Sequence, residues 1–263
     1  MYYKIKTKNY EFFAIILDTE FEYRIQFGGT RECINISVYK DDTEANLNGI
    51  TFDNRCSANE QMIPGEGTIE MLKTALKFTR LKYKKHCKSM MFKDHSRINC
   101  DKNIKIPLYY FYLTKYGKTW YQDKFNAKLY NKNDVEKIEK ALKFIKDPNK
   151  IEFDEFNKKY IRLQKRFKDS DKIFKPIYDR SNNYYEFLNE IIVEFDCGIF
   201  DRWFSIFWND ICTLNFGEVY WKIKGTTIDS WDNIEIESTL TKPKFKRVQD
   251  GGFYPYGLIG SNT

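Results

Sequence analysis

Three short stretches carry residue types that could do chemistry. In "QMIPGEGTIEMLKTALKF", residues 61–78, a turn holding Gly65 and Gly67 runs into an amphipathic helix. The first turn of a helix has backbone N–H groups without intrahelical partners and the positive end of the dipole, which suits a phosphate. Glycines allow a tight bend and the close approach of a diphosphate to the backbone, although a purely structural turn would use the same residues. In "EFDCGIFDRWFSIF", residues 194–207, Cys197 precedes an aromatic-rich helix whose dipole would stabilise a thiolate. "DHS", Asp94 to Ser96, has the residue types of a catalytic triad. Neighbours on a strand point to opposite faces, so the three are not expected to converge.

The elements that must position these residues fall into two regions. The first sixty residues read as short strands: "YEFFAIIL", "FEYRIQFG", "ECINISVYK" and "NGITFDNRC", separated by Asp-Thr, Gly-Gly, Asp-Asp and Asn-Gly turn signals. Spacing this close predicts an antiparallel meander, because a parallel crossover needs about a dozen residues or more. A helix follows, with Ile69, Leu72, Leu76 and Thr79 on one stripe and Met71, Ala75 and Phe78 beside it. Glu66 and Glu70 at its start and Lys82, Lys84 and Lys85 at its end suit the macrodipole. "SMMFKDHS" reads as a strand and "IPLYYFYLTKYGKTWYQDKF" as a helix with Pro107 in its first turn and a break at Gly117. "NAKLYN" reads as a further strand.

From Asn133 the pattern is helical. "NDVEKIEKALKFIKD" opens with Asn133 as N-cap and Glu136 three places on, a capping-box spacing. "FDEFNKKYIRLQKRF", "NNYYEFLNEIIVEF" and "FDRWFSIFWNDICT" are further helices, and "EVYWKIKG" with "WDNIEIESTLTK" reads as a hairpin. The expected division is an α/β domain over 1–132 and a mainly helical extension with a terminal β-hairpin over 133–263.

Composition narrows the function classes. The 263 residues carry a net charge of +7, with 22 Phe and 19 Tyr, which argues for packed aromatic interiors and against global disorder. Lys- and Asn-heavy usage matches an AT-rich genome. Both charge signs are scattered, with no Arg-rich arm or recognised motif, so nucleic acid is not an expected partner. The six cysteines form no CxxC pair and there are two histidines, so no structural zinc is expected. No apolar run approaches membrane-spanning length and "MYYKIKTKNYEFF" lacks the apolar core of a signal peptide. The expectation is a cytoplasmic chain with reduced thiols and no membrane contact.

The order of elements, with the motifs "MIPGEG" and "WYQDKFNAKL", resembles the Gcn5-related N-acetyltransferase (GNAT) fold over residues 20–130. In that family a strand leads into a Gly-x-Gly turn that holds the acetyl-CoA pyrophosphate on a helix N-terminus. A later Tyr segment can protonate the departing CoA thiolate. The resemblance implies a largely antiparallel mixed sheet flanked by helices. It assigns acetyl-CoA binding to Met62, Ile63, Gly65, Glu66, Gly67 and Thr68, and the general acid to Tyr121, followed by the aromatic Phe125. Asp53, before the glycine turn, would be the base, directly or through water, for an amine acceptor, small molecule or protein, that attacks the thioester.

Met62 stands where that family carries Gln or Arg, which points to the alternative of a non-enzymatic structural or assembly protein that keeps the fold. A third reading rests on "DCGIF", which is similar to the nucleophile segment of Ulp1/adenain-type cysteine proteases and would make Cys197 the nucleophile. Ile191 occupies that family's usual Gln position, and neither His86 nor His95 is followed by Trp.

Overall fold

The computed structural model describes residues 1–63, 65–94, 96–101, 104–162, 170–195, 199–214 and 219–245. In chain order these form β1 (Tyr2–Lys6), β2 (Glu11–Asp18), β3 (Glu22–Gly28), β4 (Glu32–Tyr39), β5 (Glu44–Ile50), α1 (Glu66–Lys82) and β6 (Ser89–Lys93). Next come β7 (Arg97–Asp101), β8 (Ile104–Pro107), α2 (Leu108–Tyr116), α3 (Trp120–Phe125), β9 (Lys128–Leu129), α4 (Lys132–Ile145) and α5 (Phe153–Phe156). The chain continues through α6 (Ser170–Arg180), α7 (Tyr184–Glu194), α8 (Asp201–Cys212), β10 (Tyr220–Lys224), α9 (Gly225–Asp229) and β11 (Glu235–Thr239).

Two compact units result. The first comprises Met1–Ser96, Tyr121–Tyr130 and the stretch from Tyr220; the second comprises Arg97–Trp120 and Asn131–Val219. They interleave along the chain, in place of the single cut expected at 132/133. The physical reason is strand pairing: β9, β10 and β11 all return to the first unit's sheet.

That sheet has nine strands in the order β11-β1-β2-β3-β4-β5-β6-β10-β9. β1 to β5 form the expected antiparallel meander, extended by β1, whose five residues the sequence reading left unassigned. Alternation sets the faces: Phe12, Ala14, Ile16, Ile25, Phe27, Ile34, Ile36 and Val38 are buried on one side. α1 lays Met71, Leu72, Ala75, Leu76 and Phe78 into the core, as its periodicity predicted. The chain is thus mixed α/β, with a large, mostly antiparallel sheet flanked by helices.

Three local expectations are corrected. The strand expected over 48–56 begins earlier and ends at Ile50, because Asp53 caps a short 3-10 turn over Asn54–Cys56. β10 and β11 are not a hairpin: α9 lies between them, β10 sits between β6 and β9, and β11 pairs with β1. The N-cap of α4 is Asn131, whose side chain accepts the Asn133 N–H at 3.0 Å, two residues before the expected cap. Gly117 does end α2, at φ 65°.

The second unit is helical apart from the β7–β8 hairpin, which the sequence reading did not foresee. Its core centres on Phe156, whose ring meets those of Tyr160, Tyr178, Tyr184, Phe187, Trp203 and Phe207 at centroid distances of 5.0–6.3 Å. Trp203, Phe204, Phe207 and Trp208 are all buried, so these aromatics are core.

Cys33 and Cys56 form a disulfide, which corrects the expectation of reduced thiols throughout. Cys87 and Cys212 are free and buried. No helix among the described residues is long and apolar enough to cross a membrane.

Candidate functional site

Among the described strands, β5 and β6 are the one parallel pair, joined through α1. Both are flanked by antiparallel neighbours, so the strand direction switches here. Such switch points leave a crevice at the carboxyl ends of the strands, where ligands of open α/β sheets bind. The ladder runs from Glu44↔Ser89 to Leu47↔Phe92 and stops. Asn48 is extra on β5: the register with β4 steps from Asn35↔Gly49 to Ile36↔Leu47, leaving a bulge. The Asn48 amide donates to Ser37 Oγ at 2.8 Å and turns towards β4. A cleft of about 280 Å³ opens where the ladder ends, lined by Asn46, Leu47, Asn48, Met91, Phe92, Lys93 and Tyr220.

The glycine turn is built for packing as much as for an anion. Gly65 caps α1 at φ 84°, a left-handed value that favours glycine. Gly67 is buried, and a Cβ there would stand 3.2 Å from Tyr10 Oη and 3.3 Å from Met62 Cε. Met62 is itself buried, whereas Ile63 is exposed and Glu66 projects into solvent at the first turn. The N–H groups of Gly67 and Ile69 already donate to Ile63 O and Gly65 O at 3.0 and 3.1 Å. Thr68 is fully buried, and its Oγ1 has no hydrogen-bond partner among the described residues. Pro64 lies outside the described residues.

Asp53 is held rather than poised. Its Oδ1 accepts from Arg55 Nε at 2.8 Å and Arg55 N at 2.9 Å, and its Oδ2 accepts from Arg55 Nη2 at 2.8 Å and Arg31 Nη1 at 2.5 Å. The Arg55 hydrogen bonds, with Arg31 behind them, hold the carboxyl well below the usual carboxylate range. A carboxylate that weakly basic is a poor proton acceptor at neutral pH, which argues against Asp53 as the base.

Tyr121 belongs to α3, and its ring packs 4.4 Å from that of Phe92, one of the cleft-lining residues. Burial first, and then the nearby Asp94, push its hydroxyl well above the ordinary tyrosine value, so it keeps its proton. At 3% exposure it lies under the cleft wall rather than in the open. Phe125 is buried against Tyr121 and Trp231.

Asp94, which sequence reasoning noticed only as part of "DHS" and set aside, is the buried carboxyl of this region. It follows β6 directly, is 1% exposed, and accepts from Ser96 N at 2.9 Å and from Ser96 Oγ, both on Oδ1. Oδ2 has no hydrogen-bond partner among the described residues. Burial pushes the carboxyl up to about 6, against the opposing pull of the Ser96 bonds. Alternation sets His95 apart from its neighbours but leaves Asp94 and Ser96 on one side, and β6 ends just before them at Lys93. An Asp-x-Ser stretch directly after a strand was the available signal. His95 lies outside the described residues, as does Cys197 with Asp196 and Gly198; α8 starts at Asp201.

A larger groove of about 660 Å³ runs beside α1, between the β1–β2 turn and residues 230–234. Several of its polar groups are already engaged. Glu70 accepts from Thr7 and Asn9, and the Lys77 ammonium donates to the carbonyls of Ile228, Asp229 and Trp231.

The first unit is therefore a mixed-sheet α/β domain with one parallel pair and a cleft at its end. No protein-family model, curated protein or solved structure matches the chain.

Proposed function

We propose that this chain is an acetyltransferase-like protein that takes an acyl-CoA thioester at the β5–β6 cleft and passes the acetyl group to an amine. The observation that carries this reading is the single parallel pair, crossed over by α1 and opening where its ladder ends. In the reaction the amine nitrogen bonds to the thioester carbonyl carbon and the C–S bond breaks. The amine's proton goes to a base and the thiolate takes one from an acid. Tyr121 retains the proton an acid needs and backs the cleft through Phe92. Asp53 is bound to two guanidiniums, so the base is a water or a group the acceptor itself brings.

A second reading, a structural or assembly protein that keeps the fold, is favoured by the covering of Gly67 by Met62 and Tyr10. Thermal-shift titration with acetyl-CoA and CoA separates the two. A ligand at a hundredfold its dissociation constant adds about 2.7 kcal/mol to apparent stability. Absence of any shift at millimolar ligand would overturn the acyl-CoA reading and favour the structural one. If the shift is present, Asn48→Trp, which fills the cleft from an exposed position, abolishes it, whereas Tyr121→Phe preserves it and slows turnover.

A further inference from the structure

The face of the sheet at β6, β10 and β9 carries a strip of lysines and open tyrosines. Residues directly opposite in register share a face, which places Lys93 with Tyr220, Met91 with Lys222, Ser89 with Lys224, and Lys128 with Lys222. Tyr130, whose N–H donates to Tyr220 O at 2.9 Å, extends the strip past β9. The side chains of Tyr220 and Tyr130 are large and open, at 46% and 60% exposure. Each ring has an ammonium at one face: Lys93 Nζ lies 4.9 Å from the Tyr220 ring centre, and Lys222 Nζ 5.5 Å from that of Tyr130.

The positive charge is local. Glu44 on β5 is paired with Lys222 and also accepts from Ser89 Oγ. Beyond β5 the same face turns mixed, with Arg24 on Glu22 and Gln26 on Glu32. Four lysines and two tyrosines thus share this face, where among the described residues Glu44 is the one carboxylate paired with them. Sequence order scatters them from Lys93 to Lys224; strand order alone assembles them.

We propose that this strip binds single-stranded nucleic acid, the lysines taking backbone phosphates and Tyr220 and Tyr130 stacking on successive bases. Ammonium groups alone would suit any polyanion. The two open rings between them favour a polyanion that also presents flat aromatic faces. A duplex hides those faces, an anionic membrane has none, and an acidic protein surface does not alternate them with phosphates along a strand. The proposal goes beyond acyl transfer and stands without it, although Lys93 and Tyr220 also border the cleft.

The test is fluorescence anisotropy of the full chain with a labelled oligouridine RNA, no acetyl-CoA present. Binding is expected at low salt, weakening about 20-fold between 50 and 200 mM salt if three phosphates are neutralised. Lys93→Ala should flatten the log–log salt slope by about 0.7. Tyr220→Ala and Tyr130→Ala should each weaken binding about tenfold, and the Phe variants, which keep the ring, should restore it. Unchanged unfolding midpoints confirm that these exposed-site variants fold. Equal affinity for duplex RNA or heparin, unchanged binding by both Ala variants of the tyrosines, or no binding at 50 mM salt would each overturn the proposal. Failure of the acetyl-CoA titration leaves it untouched.

Discussion

Met62 lies over Gly67, with its Cε 3.3 Å from the point a Cβ of residue 67 would occupy. The neighbours are the far ends of side chains and can yield. Gly67→Ala therefore trades crowding against a helix-propensity gain of about 1 kcal/mol, and its stability in urea should fall within that margin of wild type. Gly65→Ala has no such compensation. At φ 84° it forces a Cβ into the left-handed region and should cost about 1 to 2 kcal/mol. Equal losses from the two substitutions would contradict the geometry.

Arg80 fixes α1 to α9. Its Nε and Nη2 donate to Asp229 at 3.1 and 3.0 Å, and its Nη1 donates to the carbonyls of Lys84 and Cys87 at 2.7 and 2.9 Å. Arg80→Met should cost about 3 kcal/mol by chemical denaturation, because it strands a carboxylate and buried carbonyls together. Arg80→Lys should recover little, lacking the planar fork. Full rescue by lysine would show that charge alone matters.

Asp94 predicts a pH dependence with a definite sign. Its folded value is raised to about 6 from 3.8, so the folded state holds the proton more tightly than the unfolded chain. The stability this lends is complete below pH 3.8 and is lost as pH rises through about 6. Asp94→Asn keeps an oxygen for Ser96 and removes the buried charge. Its advantage over wild type should be absent at pH 3.5 and grow to about 3 kcal/mol by pH 7, read as unfolding midpoints across pH. A flat difference would mean that Asp94 titrates normally.

The Cys33–Cys56 bond closes a sequence separation of 23 residues. Reduction, or the double substitution Cys33→Ala with Cys56→Ala, should cost about 3 kcal/mol on loop-entropy grounds. The double variant should then be indifferent to reductant. Continued sensitivity would place the responsive group elsewhere.

Strands β2, β3 and β4 and helices α1, α2, α7 and α8 were legible because each carries its own period and stop signals. Asn183 caps α7, and Gly117 ends α2. What stayed hidden depends on partners distant in sequence. β11 reads like the second arm of a hairpin, yet its register belongs to β1. Cys33 and Cys56 show no spacing motif, and the meander alone brings them together. At the candidate site the glycines were visible, but the Met62 and Tyr10 contacts that cover Gly67 were not. The resemblance made Asp53 the base, and nothing local announced that Arg31 and Arg55 would converge on it. Asp94 was set aside with the triad reading of residues 94–96, because nothing in that short stretch announced its burial.

The pairing of β1 with β11 also bears on synthesis. Lys6 leaves the ribosome early and its partner Glu235 late. At about 5 to 20 residues per second, the outer edge of β1 stands open for ten seconds or more before β11 can cover it. An uncovered edge of hydrogen-bonding groups is a template for a second nascent chain. Polysomes carrying this message should therefore be prone to pairing between neighbouring chains, and slower translation should worsen that tendency.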